Sequence, residues 1–188
     1  MEIVKLSSSR KQEVIKKHVS TALSIFIDGV NLDRACRRLK KRINLSALLS
    51  SLAGGKEIVT AKYYTLIPFE DDHRHRAYLD AVARAGFEVV TKRMPPKGVQ
   101  RQVGVDVDLA SDMLNFGLNP KFQQNNNNLK KSIIVVCPSL ELSYPLKLLG
   151  DLGVKTTTAD FSKVQRGDLM KSAANWVDLT DSDSIWIG

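Results

Sequence analysis

Apolar residues recur along this chain in two rhythms. Short, β-branched apolar runs occupy Thr21–Asp28, Glu57–Ile67, Phe87–Arg93, Ser132–Cys137, Val154–Asp160 and Trp176–Leu179, and they predict strands. Between them, helical spacing predicts helices over Asn31–Leu39, Leu45–Leu52, Asp71–Ala85, about Val105–Phe116, Leu140–Leu152 and Gly167–Asn175. Breakers agree with those boundaries. Gly29 follows the first strand, Gly54–Gly55 stop one helix, Gly86 stops the next, and Pro95–Pro96 end the third strand. Pro145 fits only in the first turn of its helix, where a backbone N–H is not needed. Strands that alternate with helices at this spacing predict an α/β fold: a mostly parallel sheet with helices on both faces. In such sheets ligands sit beyond the carboxyl ends of the strands, so that edge is where chemistry is sought.

Polar stretches divide the rest. Residues 1–20 read as a basic N-terminal lead-in with a short helix over Arg10–His18, and residues 21–188 as one domain. Pro96–Gly104 is a basic loop, and Asn119–Lys131, with four consecutive asparagines, is a flexible surface excursion. Hydrophobic residues make up 43% of the 188, which argues against disorder. No apolar run is long enough to span a bilayer and the N-terminus has no signal-peptide core, so a cytoplasmic protein without a membrane partner is expected. Cys36 and Cys137 form neither a disulfide framework nor a metal spacing, and read as packed free thiols.

A net charge of +8 changes the picture, because a basic surface favours polyanions. Six of the nine residues from Arg34 to Arg42 are basic: Arg34, Arg37, Arg38, Lys40, Lys41 and Arg42. Lys92, Arg93, Lys97 and Arg101 belong to a looser second set, with Arg74 and Arg76. Singly these are solvated helix faces; together they suit a phosphate backbone.

Three segments then bring carboxylates toward the same sheet edge. Asp28 closes the first strand, with Asn31 placed to brace it; the same pair also fits a helix cap. Asp106, Asp108 and Asp112 begin the fourth helix, where an acidic first turn suits the helix dipole. Asp108 and Asp112 share a face, whereas Asp106 and Asp112 diverge by roughly 120° around the helix. Asp112 lies beyond the first turn, where capping does not account for it. Glu141 follows the fourth predicted strand, Ser132–Cys137, beside Ser139, a candidate cap. Like charges gathered this way need a cation, and an all-oxygen ligand set favours Mg²⁺ or Mn²⁺. Such an ion can activate water against a phosphodiester. His73 and His75 read as surface residues.

The segments FIDGVNL (Phe26–Leu32), VGVDVDLASDML (Val103–Leu114) and IVVCPSLELSYPLKLLGDLGVK (Ile134–Lys155), with the KYY strand between the first two, resemble NYN domains, the LabA-like members of the PIN-like nuclease superfamily. The resemblance runs from about Thr21 to Asp181. It implies a PIN-like, Rossmann-like parallel sheet and a metal-dependent ribonuclease acting on RNA. By motif, Asp28, Asp106, Asp112 and Glu141 become the catalytic and metal-binding acids, supported by Asn31, Asp108 and Ser139. Two departures stand out. Ser139 and Glu141 occupy the positions where the family carries two aspartates, and Val103 stands where it often has lysine. They leave open a catalytically weak or inactive domain that serves as an RNA-binding adaptor. A homodimer is compatible with the sequence. A phospho-receiver would need paired or nucleophilic acids at the first strand, and a dinucleotide site would need a glycine-rich turn there; neither is present.

Overall fold

A computed structural model describes residues 21–70, 73–120, 129–164, 169 and 171–187. The expected lead-in and its helix, and the centre of the asparagine tract, lie outside the described residues. In chain order the elements are β1 (Thr21–Asp28), α1 (Gly29–Leu39), β2 (Arg42–Ile43), α2 (Leu45–Ala53), β3 (Ile58–Ile67), α3 (His73–Arg84), β4 (Glu88–Arg93), α4 (Asp106–Leu118), β5 (Lys130–Val136), α5 (Ser143–Asp151), β6 (Lys155–Asp160), β7 (Asn175–Asp178) and β8 (Trp186–Ile187). Six strands form one sheet in the order β4-β3-β1-β5-β6-β7, and every neighbouring pair is parallel.

The alternation in β1 sets the two faces. Leu23, Ile25 and Ile27 join Leu32, Ala35, Leu48, Leu52 and Val82 from α1, α2 and α3 in one core. Ala22 and Phe26 point the other way, to Leu109, Met113 and Phe116 of α4 and to Leu146 and Leu149 of α5. A strand buried on both faces must be apolar at nearly every position, which is why β1 reads as a continuous apolar run. The chain winds outward from β1 through β3 to β4, then returns to lay β5 on the other flank of β1. The direction of winding reverses between β1 and β5, and that reversal opens a crevice at their carboxyl ends.

Several local features differ from expectation, and two of the differences have a clear physical cause. The predicted helix at Leu140–Leu152 is split into a 3-10 turn, Leu140–Leu142, and α5. One continuous α-helix would need the N–H that Pro145 lacks, so the helix restarts with Pro145 in its first turn. Strand β5 begins at Lys130, inside the tract read as a flexible excursion. Lys131 is buried there, and its Nζ donates to the carbonyls of Gly117 (2.6 Å) and Asn119 (3.0 Å), closing the end of α4. The helix expected at Gly167–Asn175 falls partly outside the described residues, and Asn175 already opens β7. The short antiparallel ribbon of β2 and β8 was not foreseen. Among the described residues no helix is long and apolar enough to cross a membrane.

Candidate functional site

Asp28 is the last residue of β1 and the N-cap of α1. Its Oδ1 accepts the Asn31 backbone N–H at 2.9 Å, and its Oδ2 accepts from Asn31 Nδ2 at 2.7 Å. The cap and the brace anticipated from sequence are therefore one arrangement. Asn31 Nδ2 also reaches the Cys137 carbonyl at 3.3 Å, tying β1 to the end of β5. Gly29 makes this turn possible, because a Cβ there would lie 2.2 Å from Tyr63 Cε1.

Asp28 is only 2% exposed. Burial pushes its carboxyl up to about 6, against the pull of the Asn31 N–H, and repulsion from Asp106 adds to the rise. Asp106 opens α4, and Ser139 Oγ donates to its Oδ1. A Cβ on Gly104 would come within 2.8 Å of Asp106 Oδ2, so glycine leaves room for that carboxylate to fold back. Ser139 is delivered by Cys137, which adopts a left-handed backbone with φ of 51°. Such a conformation costs a non-glycine residue about 1–2 kcal/mol and is held here by the Cys137 N–H to Ala159 carbonyl bond of 2.9 Å.

The structure brings Asp28, Asp106, Asn31 and Ser139 together, with exposed Glu141 at the rim of the two adjoining clefts. It does not bring Asp112 to them. Asp112 lies six residues beyond Asp106, about 9 Å along the helix. Its Oδ2 instead accepts from Tyr64 Oη at 2.7 Å and from Lys62 Nζ at 3.1 Å. Asp108 is likewise engaged, with Lys92 Nζ at 2.9 Å. Among the described residues no three His, Cys, Asp or Glu side chains form a group able to hold a metal ion. The expected convergence of three acids is thus reduced to a pair. That pair suits one hard cation, since a magnesium-type ion needs only one or two carboxylates and keeps its waters.

Sequence reasoning missed Asp160, which ends β6 and is 7% exposed. It lines the same cleft as Asn31, Ser139 and Glu141. Burial raises its carboxyl, offset in part by the Phe161 N–H at 2.8 Å. Its place at a parallel strand's carboxyl end was the available signal. His73 is exposed, and His75 lies against Tyr78, with ring centroids 6.3 Å apart. Both cysteines are free, and burial raises each thiol, Cys36 to about 11.

The basic residues divide. Lys92, Arg93 and Arg101 line a groove of about 720 Å³ that runs to Asp106 and Glu141. Arg34 and Arg38 line the second cleft, about 440 Å³, beside Asn31 and Ser139. Arg37, Lys40, Lys41 and Arg42 line a separate cleft with Tyr63, Tyr78 and Ile187. There Arg37 pairs with Asp33, and Lys41 lies over the Trp186 ring. Lys97 is an exposed residue of the loop after β4.

A parallel α/β sheet with a buried acid, Asp28, beside the partly buried Asp106 at its winding reversal defines a class of strand-edge acidic sites. The NYN domain family model matches residues 22–173, and the chain belongs to that family, within the PIN-like nuclease superfamily. Among solved structures, a protein of unknown function from Vibrio parahaemolyticus superposes with a TM-score of 0.74 at 20% identity, covering 91% of this chain and 98% of that one. At that identity the likeness speaks to the fold alone. A search of curated proteins returns no match.

Proposed function

We propose that this NYN domain is a metal-dependent ribonuclease that cleaves RNA phosphodiester bonds at the Asp28–Asp106 pair. The observation that carries this reading is the buried carboxylate of Asp28 set against the partly buried Asp106 at the sheet's crevice, with Lys92, Arg93 and Arg101 along the groove that reaches Asp106. Asp28 and Asp106 would hold Mg²⁺ or Mn²⁺, and the bound ion would supply a polarised water and charge stabilisation at the phosphate. Asn31 and Ser139 orient the two carboxylates. Arg101 lines one cleft and Arg34 and Arg38 the other, and in this reading they hold the phosphates of the bound RNA. Purified protein with labelled RNA, Mn²⁺ or Mg²⁺ and an EDTA control tests the reading. Cleavage should require the metal and fall about 100-fold or more in Asp28→Asn and in Asp106→Asn, the loss of about 2.7 kcal/mol of transition-state stabilisation. Metal-dependent cleavage that survives both substitutions would defeat it.

One observation favours a second reading, an RNA-binding adaptor. Asp108 and Asp112 are held by lysines, and Ser139 offers no second charge beside Asp106. Tight RNA binding without cleavage in either metal would select it.

A further inference from the structure

The structure assigns Lys62 the role of an internal counter-cation that neutralises Asp112, so that this chain holds one divalent ion rather than two. The inference rests on the reading that Asp28 and Asp106 take a divalent cation, and it fixes how many.

Lys62 sits in the middle of β3, in register with Phe26 on one side and Glu88 on the other. Strand alternation turns its side chain, with that of Tyr64, toward the face covered by α4. Its Nζ lies 3.1 Å from Asp112 Oδ2 and 3.3 Å from Glu88 Oε1. Tyr64, fully buried and packed near Phe26, donates to the same Asp112 oxygen at 2.7 Å. Two donors from one rigid strand therefore hold Asp112 in place. The Lys62 and Asp112 side chains are only 20% and 30% exposed, so water screens the pair less than it would on an open surface.

A dication coordinated by Asp112 would have to displace the lysine or accept an ammonium as its close neighbour. Displacement breaks a charge-assisted hydrogen bond in a partly buried place; retention sets like charges together. Both exclude an ion there. The motif is repeated one turn earlier by Lys92 and Asp108, at 2.9 Å but more exposed. Two lysines from adjacent strands thus neutralise the two later acids of α4, and Asp106 alone remains turned to Asp28. Tyr64 is the register partner of Asp28, so the neutralised acid stands one strand away from the working one.

Calorimetric Mn²⁺ titration, with free Mn²⁺ counted by electron paramagnetic resonance, tests this without reference to activity. Wild-type protein should bind one Mn²⁺ per chain. Asp112→Asn should keep that stoichiometry, with affinity within about twofold. Lys62→Met should gain a second Mn²⁺, which the double variant Lys62→Met/Asp112→Asn should lose. Two ions on the wild type, a loss of the ion in Asp112→Asn, or a folded Lys62→Met that stays at one ion would each overturn the assignment. Where Lys62→Met does not fold, Lys62→Gln carries the same arm, with the same gain expected and the same result overturning the assignment. Absence of any Mn²⁺ on the wild type would instead overturn the divalent reading beneath it.

Discussion

The Asp28 carboxylate should destabilise the metal-free fold at neutral pH, and Asp28→Asn should relieve it. The group is raised from an ordinary 3.8 to about 6, with burial as the first cause. The folded state therefore holds the proton more tightly than the unfolded chain. Between those two values the native protein binds more protons, so stability falls as pH rises through the window and stays low above it. At about 1.4 kcal/mol per pH unit, the ionised group costs about 3 kcal/mol. Asparagine keeps the shape and can still accept the Asn31 N–H, but its amide nitrogen faces the Asn31 amide, and one hydrogen bond worth about 1 kcal/mol is lost. The variant should therefore be more stable by about 2 kcal/mol at pH 7 in EDTA, and no more stable than wild type at pH 4. For a chain of this size that is about 4–8 °C in Tm. Urea unfolding at intervals from pH 4 to 8 in EDTA measures it. Added Mn²⁺ should stabilise the wild type and leave Asp28→Asn unmoved, since only an ion bound to the folded state shifts the equilibrium. A variant less stable than wild type at pH 7, or a gap that does not change with pH, would refute the reasoning.

Other substitutions probe separate parts of the argument. Arg101→Ala and Arg38→Ala should each weaken single-stranded RNA binding across sequences and reduce the slope of log affinity against log salt by about 0.7, measured by fluorescence anisotropy. Equal salt slopes in variant and wild type would remove that arginine from the phosphate track. Gly29→Ala should cost about 1–3 kcal/mol in urea unfolding, because its Cβ would be driven into the buried Tyr63 ring. Lys131→Met should cost about 1–3 kcal/mol, since it removes the buried ammonium that donates to the Gly117 and Asn119 carbonyls at the end of α4.

The fold was legible where the physics is local. A strand buried on both faces has to be apolar at nearly every position, so Thr21–Asp28 could be bounded to the residue. Glycine and proline marked the other ends within a residue or two. The ribbon of β2 and β8 was not legible, because two-residue strands carry no periodicity and their pairing joins positions far apart in sequence. The site divided in the same way. Helical spacing correctly put Asp108 and Asp112 on one face, but a face does not name its partner. Lys62 stands 50 residues before Asp112, and nothing in the KYY segment says that its lysine will reach across to α4. Asp160 passed as a strand terminus because no neighbouring motif marked it.

Asp28 remains the residue from which function is argued, and energetics decide between its two readings. As a cap, its bond to the Asn31 N–H stabilises α1 by about 1 kcal/mol. Serine or asparagine would give that stabilisation without burying a charge. Aspartate gives it while carrying a cost of about 3 kcal/mol, most of it from burial and part of it from Asp106. Capping alone therefore cannot account for an acid at this position. A divalent cation would remove the cost, because it converts the repulsion between the two carboxylates into shared ligation. On the proposed reading, the strain on Asp28 in the metal-free fold is what a bound ion would relieve, and Asp28→Asn should remove both the strain and the response to the ion.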